Sequence, residues 1–189
     1  MSKTLDAWYK EHDITNAKTI KTAISVNNRD FPTSYDDVIL GTRIAVFECD
    51  FPLLSDMETA ITESKKAFRT LYSEKAANFI ELFFSIFKFF PLAAVSKLGE
   101  DMLGGVDLVI SNVPFSEQKW IFLGKEVTKR AFWAHGSHQL GLFVTPVTYE
   151  DKLRVNFCAH RKMKMSAQNL VSQFEKIINE DIALMKKNE

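Results

Sequence analysis

Hydrophobic and polar positions along the chain change period several times, and the changes mark its elements. Leu5 to Glu11 reads as a short helix, and Ile20, Thr22, Ile24 and Val26 alternate with more polar neighbours, which predicts a strand over 20–26. The Pro, Ser and Asp content of 29–37 predicts a loop, and the β-branched and aromatic residues of 39–49 a second strand. Leu54, Met57, Ile61, Phe68, Leu71 and Tyr72 then recur at helical spacing, with Ser55 or Asp56 as the cap. A further helix is predicted through the phenylalanine-rich stretch 78–95, kinked or broken at Pro91 because proline lacks the helical donor.

Gly104-Gly105 ends this helical region. Residues 106–113 form a nearly continuous apolar run, as expected of a central strand covered on both faces. A short strand is predicted over 120–123, with Gly124 in a turn or bulge. Residues 139–148 and 153–159 alternate as a hairpin turning at Tyr149–Lys152. Leu170, Phe174, Ile177, Ile178, Ile182 and Met185 lie on one stripe of a final helix. Mixed strands and helices with a late antiparallel hairpin predict a single α/β (α+β) domain over 1–189, a mixed sheet flanked by helices.

Composition narrows the function classes. The 189 residues suffice for a substantial core without disulfides or metal. Lys plus Arg and Asp plus Glu both number 24, which argues against nucleic acid as a partner. A neutral surface favours association with a second copy or another chain. Cys49 and Cys158 have no zinc-like spacing and read as two buried reduced thiols. The first residues lack the apolar run of a signal peptide, so an intracellular, cytoplasmic protein is expected. The Phe-rich stretch reads as a core helix, with a membrane-surface or acyl-chain contact as the alternative; Glu81, Lys88 and Pro91 count against a membrane span.

Candidate chemistry is sparse. His135 and His138 lie in Ala-His-Gly-Ser-His, which is not a zinc motif, and read as a loop or channel-lining pair; no metal or cofactor is expected. No nucleophile–base signature occurs, so no catalytic residue is assigned. Ser111 and Asn112 stand out at the end of the apolar strand, before Pro114. They either satisfy backbone groups as the strand turns or present a hydroxyl and an amide to a ligand.

Ile110-Ser111-Asn112-Val113-Pro114 resembles the SNVPGP motif of the wax ester synthase/diacylglycerol acyltransferase family. Three further segments resemble that family in the same order. Ile24-Ser25-Val26-Asn27-Asn28-Arg29 is similar to its PVSxR-type strand. Ile39-Leu40-Gly41-Thr42-Arg43, leading to Phe51-Pro52-Leu53, is similar to its LGN…PLP segment. Gly141-Leu142-Phe143 through Tyr149 and Leu153 is similar to its GLxxxxxSYxGxL hairpin. The resemblance spans nearly the whole chain but only the C-terminal half of the family's enzyme.

The resemblance implies one half of a two-half fold like that of chloramphenicol acetyltransferase and peptide-synthetase condensation domains, with an acyl-CoA channel between the halves. Ser111, Asn112, Pro114, Arg29 and His138 are then channel or acyl-CoA candidates. The family's general base is the second His of HHxxxDG in the first half, and no HHxxxDG occurs here. Phe115-Ser116 replaces the family's Gly-Pro, neither Ala23 nor Ile24 is the proline of the family strand, and Asp151 stands where the hairpin has glycine.

Three functions follow as expectations. One is the C-terminal part of a CoA-dependent O-acyltransferase, with acyl-CoA as substrate and an N-terminal acyltransferase half as partner. Another is a non-catalytic structural or interaction subunit, as a homodimer or in a larger assembly. The third is a peripheral membrane or lipid contact through the Phe-rich helix.

Overall fold

The computed structural model describes residues 1–14, 16–27, 34, 36, 44–71, 85–114, 119–133, 141–161, 163 and 166–187. In chain order the elements are α1 (Ser2–Glu11), β1 (Thr19–Asn27), β2 (Ile44–Pro52), α2 (Met57–Leu71), α3 (Leu92–Leu103), β3 (Leu108–Ser111), β4 (Val113–Pro114), β5 (Ile121–Phe122), β6 (Lys125–Glu126), β7 (Leu142–Tyr149), β8 (Lys152–Ala159) and α4 (Ala167–Met185).

β3 and β4 lie along β7 in one unbroken register: Leu108 opposes Leu142, Ile110 opposes Val144 and Val113 opposes Val147. They are two pieces of one strand line, interrupted at Asn112. Across the sheet the order is β2, β1, β3/β4, β7, β8. β1, β3/β4 and β7 are mutually parallel, and β2 and β8 close the two edges antiparallel. The mixed sheet is thus as expected, and the apolar run at 106–113 is central. β2 extends to Pro52, beyond the predicted end at Cys49; the predicted start at 39–43 lies outside the described residues.

Strand alternation sorts the sheet into two faces. Leu108, Leu142, Val144, Ile20 and Phe51 pack on one side with Leu5 of α1, Leu170 of α4 and Phe68 of α2. Leu108 and Leu170 are fully buried, each contributing about 1.5–3 kcal/mol. Asp56, rather than Ser55, caps α2: its Oδ2 accepts the Thr59 N–H at 2.7 Å, and hydrogen bonds from the Thr59 side chain first and its backbone second hold the carboxyl below the usual range. Ser2 pins α1 to the end of β2, donating to the Pro52 carbonyl at 2.6 Å and accepting the Leu54 N–H at 2.9 Å. Ala23, Val106 and Val109 form a smaller cluster with Phe143 on the opposite face.

That opposite face is covered unevenly. Over β7 and β8 it carries the arm 119–133. Thr145 Oγ1 donates to the Phe132 carbonyl at 2.6 Å, and Asn156 Nδ2 donates to the same oxygen at 3.1 Å. The Tyr149 hydroxyl accepts the Trp120 N–H at 2.9 Å and donates to the Val127 carbonyl at 2.8 Å. The predicted strand at 120–123 is the first arm of a two-stranded hairpin with β6. Over β1 and β2 no described segment covers the face: Val46 is 41% exposed and Lys21 pairs with Glu48 at 3.2 Å.

Several expectations are corrected. Cys158 is exposed and Cys49 half-buried, so the thiols are free but not both interior; burial and the neighbouring Asp50 raise the Cys49 thiol. The Phe-rich stretch is not wholly core: residues 72–84 lie outside the described residues, and Phe89 and Phe90 are exposed. Of the two outcomes expected at Pro91, a kink or a break, the structure shows the break: Pro91 is the N-cap of α3, where a new helix begins. On α4, Leu170 is buried and Phe174 stacks edge-on against Phe157, but Ile182 and Met185 at the end of the stripe are exposed.

Candidate functional site at the strand fork

Parallel α/β sheets open a crevice beyond the carboxyl ends of their strands, at the point where neighbouring strands part. Here the parting lies between β1 and β4. β1 pairs with β3 as far as Ser25 opposite Ser111. Beyond that pair Val26 and Asn27 remain with β2, opposite Ala45 and Ile44, while Val113 and Pro114 remain with β7. Ser111 and Asn112 stand at the fork.

A residue in β7 accounts for the interruption. The Leu142 N–H donates to the Asp107 carbonyl at 2.9 Å, so the even-numbered amides of β7 point toward β3/β4. Carried along the same register, the donor for the Ser111 carbonyl would be the amide of residue 146. That residue is Pro146, which has no N–H. The ladder therefore fails at Ser111–Asn112 and resumes at Val113. Proline within an inner strand is the sequence signal for a local break in pairing, and the motif reading missed it. Gly141 serves the other end of the same ladder: a Cβ there would lie 2.8 Å from the Asp107 carbonyl oxygen, so only glycine permits this approach.

Ser25 is the second residue that sequence reasoning missed as a site member. Cα partners on adjacent strands project to the same face, so Ser25 and Ser111 stand side by side on the face away from α1, α2 and α4. Val46 is the partner of Ser25 on β2. Ser25 and Ser111 are half-buried and Asn112 is exposed. Both hydroxyls look onto the open part of the face, bounded on its far side by the arm 119–133. Among the described residues, no hydrogen bond engages their side chains.

Of the predicted residues, the fork thus brings together Ser111 and Asn112, with the Pro114 backbone just beyond on β4. Arg29 and His138, with His135, lie outside the described residues. His12 stacks on Trp8 at 4.2 Å, on the helical side of the sheet. Two hydroxyls and a carboxamide can orient and polarise a carbonyl or an amide. They offer no group that takes a proton near neutral pH. Among the described residues no three His, Cys, Asp or Glu side chains gather to hold a metal. No described helix is long and apolar enough to cross a membrane. A groove of about 600 Å³ between α1 and α4 and a cavity of about 320 Å³ among α1, α2 and α4 both lie on the helical side, away from the fork.

The mixed sheet and its helices share their fold with part of a solved acyltransferase. The chain superposes with TM-score 0.50 on the wax ester synthase/diacylglycerol acyltransferase from Marinobacter aquaeolei VT8, at 16% identity, over 95% of this chain and 40% of that one. The first condensation domain of the calcium-dependent antibiotic synthetase, solved with substrate analogue 3a, matches at TM-score 0.47 and 11% identity, over 94% of this chain and 37% of that one. No curated protein matches the sequence. Residues 40–180 match the WS/DGAT C-terminal domain, and the chain belongs to that family. It spans 40% of the length of its solved relative from Marinobacter.

Proposed function

We propose that the chain is the C-terminal part of a CoA-dependent O-acyltransferase of the wax ester/diacylglycerol type, and that it borders the acyl-transfer channel without supplying the base. The observation that carries this reading is the fork. It sets Ser111 and Ser25 side by side on the open face at the carboxyl ends of the parallel strands, with Asn112 next along the chain, in a protein of this family. In the reaction the acceptor alcohol oxygen attacks the thioester carbonyl, the C–S bond breaks and CoA leaves as its thiol. The alcohol proton passes through a histidine of the other half to the departing sulfur. This chain's part is to hold the thioester: a hydroxyl or carboxamide donor at the fork stabilises the carbonyl oxygen as charge develops on it.

The test is reassembly. The chain alone, given a long-chain acyl-CoA and a long-chain alcohol, should release no free thiol. Adding a separately produced half bearing HHxxxDG should restore thiol release and ester formation together. In that complex, Ser111→Ala is expected to lower kcat by about 10²-fold or more while leaving thermal stability unchanged, as loss of an oxyanion donor does. A complex that forms but turns over equally well with Ser25, Ser111 and Asn112 all replaced by alanine would refute the assignment.

The second reading, a non-catalytic interaction subunit, is favoured by one specific feature of the sequence, Phe115-Ser116 after Val113-Pro114 in place of the family's Gly-Pro. It predicts stable association with the other half and no turnover even when Gly-Pro is restored.

A further inference from the structure

The β5–β6 hairpin has no part in the reading above, and its sequence conflicts with its local structure. Ile121 pairs with Glu126 and Phe122 with Lys125, leaving Leu123–Gly124 as a two-residue turn. The φ angles are 50° at Leu123 and 76° at Gly124, both positive, as in a type I′ turn. The first position of that turn suits Asn, Asp or Gly, because a bulky side chain meets the backbone there. Burial does not compensate for leucine at this position: Leu123 is 87% exposed, Ile121 74% and Phe122 70%. Three consecutive large apolar side chains thus project from the tip. Neither propensity nor packing accounts for them, and strain of this kind marks functional sites.

The surroundings of the tip indicate its partner. Over 119–130 there are four cations, Lys119, Lys125, Lys129 and Arg130, against the single carboxylate of Glu126, in a chain that is neutral as a whole. Lys119 pairs with Glu126 at 2.7 Å, and the Arg130 guanidinium lies 3.2 Å from the Trp120 ring centre. Trp120 and Trp133, on the same arm, are 48% and 69% exposed. The Tyr149 hydroxyl ties the hairpin base to the sheet at Trp120 and Val127. An apolar tip, exposed indoles and a cationic surplus on a fixed base form the arrangement that suits an anionic lipid surface.

We propose that the β5–β6 hairpin is a lipid-contact element, which places Ile121, Phe122 and Leu123 in the headgroup–acyl boundary of an anionic lipid layer while its Lys and Arg side chains meet the headgroups. The inference differs from a contact through the Phe-rich helix and does not rest on the acyl-transfer reading. A protein lacking all transferase activity would still show it.

The chain is tested by flotation with vesicles of phosphatidylcholine alone and of phosphatidylcholine mixed with phosphatidylglycerol. Binding is expected on the mixed vesicles only, and to weaken as salt is added. Lys125→Gln should weaken it about fivefold. Leu123→Asn separates lipid contact from folding, because asparagine suits the turn: the urea midpoint should rise while vesicle affinity falls about tenfold. Three results would overturn the proposal: no flotation of chain that is folded by circular dichroism, equal binding to both vesicle types, or Leu123→Asn leaving affinity unchanged or lowering the urea midpoint. It is equally overturned if a half bearing HHxxxDG protects 119–127 from hydrogen exchange and abolishes flotation, since the tip would then be a protein contact.

Discussion

Replacing Tyr149 by phenylalanine removes one oxygen and leaves the rest of the side chain in place. Tyr149 is 1% exposed, so its ring is held by packing and should not move. The lost oxygen accepts the Trp120 N–H at 2.9 Å and donates to the Val127 carbonyl at 2.8 Å. A second tie between the same two residues, the Val127 N–H to the Trp120 carbonyl at 2.8 Å, remains within the hairpin. The variant therefore frees the hairpin from the sheet without opening the hairpin itself. Two neutral hydrogen bonds contribute about 0.5–1.5 kcal/mol each, and Trp120, being half-exposed, recovers part of its loss from water. A net loss of about 2 kcal/mol is expected. At about 2–4 °C per kcal/mol for a domain of this size, the melting temperature should fall by about 4–8 °C. Hydrogen exchange then localises the effect: the Trp120 amide should lose protection well before the amides of β3 and β8. A fall below about 1 °C with the Trp120 amide still protected would show that the arm is held by something other than Tyr149.

Gly141→Ala should destabilise the domain by about 1–3 kcal/mol in urea titration, because its Cβ would meet the Asp107 carbonyl oxygen at 2.8 Å, and moving that backbone breaks the Leu142–Asp107 bond. Pro146→Ala supplies the missing donor opposite the Ser111 carbonyl. A slowly exchanging amide at 146 is expected, and a rapidly exchanging one would mean that the fork has another cause. Asp56→Ala removes the cap of α2. The folded-state carboxyl lies below its ordinary value, so its contribution is present above about pH 4 and fades as the pH falls through the folded value. The melting difference between wild type and Asp56→Ala should therefore be largest near neutrality and shrink in acid, and a difference that persists unchanged in acid would count against the carboxylate cap.

Elements whose signal is local were legible in the sequence. β1, the β7–β8 hairpin and α4 follow periods set by residues a few positions apart, and the cap of α2 was narrowed to Ser55 or Asp56, between which the Asp56–Thr59 hydrogen bond chooses. The motif strand was legible as central because its residues are apolar on both faces. Ser111 and Asn112 could be named from their place at its end, but their two readings, backbone satisfaction or ligand contact, could not be separated there. Their surroundings are set by pairing. The Ser25–Ser111 pair, the departure of β1 toward β2 and the gap opposite Pro146 are relations between segments far apart in the chain. Periodicity carries no information about register between strands that are not consecutive.

The same limit explains the corrections. An apolar residue is legible as apolar, but its cover is supplied by other segments. Phe89, Phe90, Ile182 and the Ile121–Leu123 tip are exposed because no described segment lies over them. The sequence by itself determined which stretches are strand or helix, that the chain carries no HHxxxDG base, and that its motifs resemble one family. Only the tertiary structure decided where the strands part, which hydroxyls stand together at that parting, and which apolar side chains are left exposed. Those outcomes depend on burial and register, which arise from packing between distant residues rather than from the order of near ones.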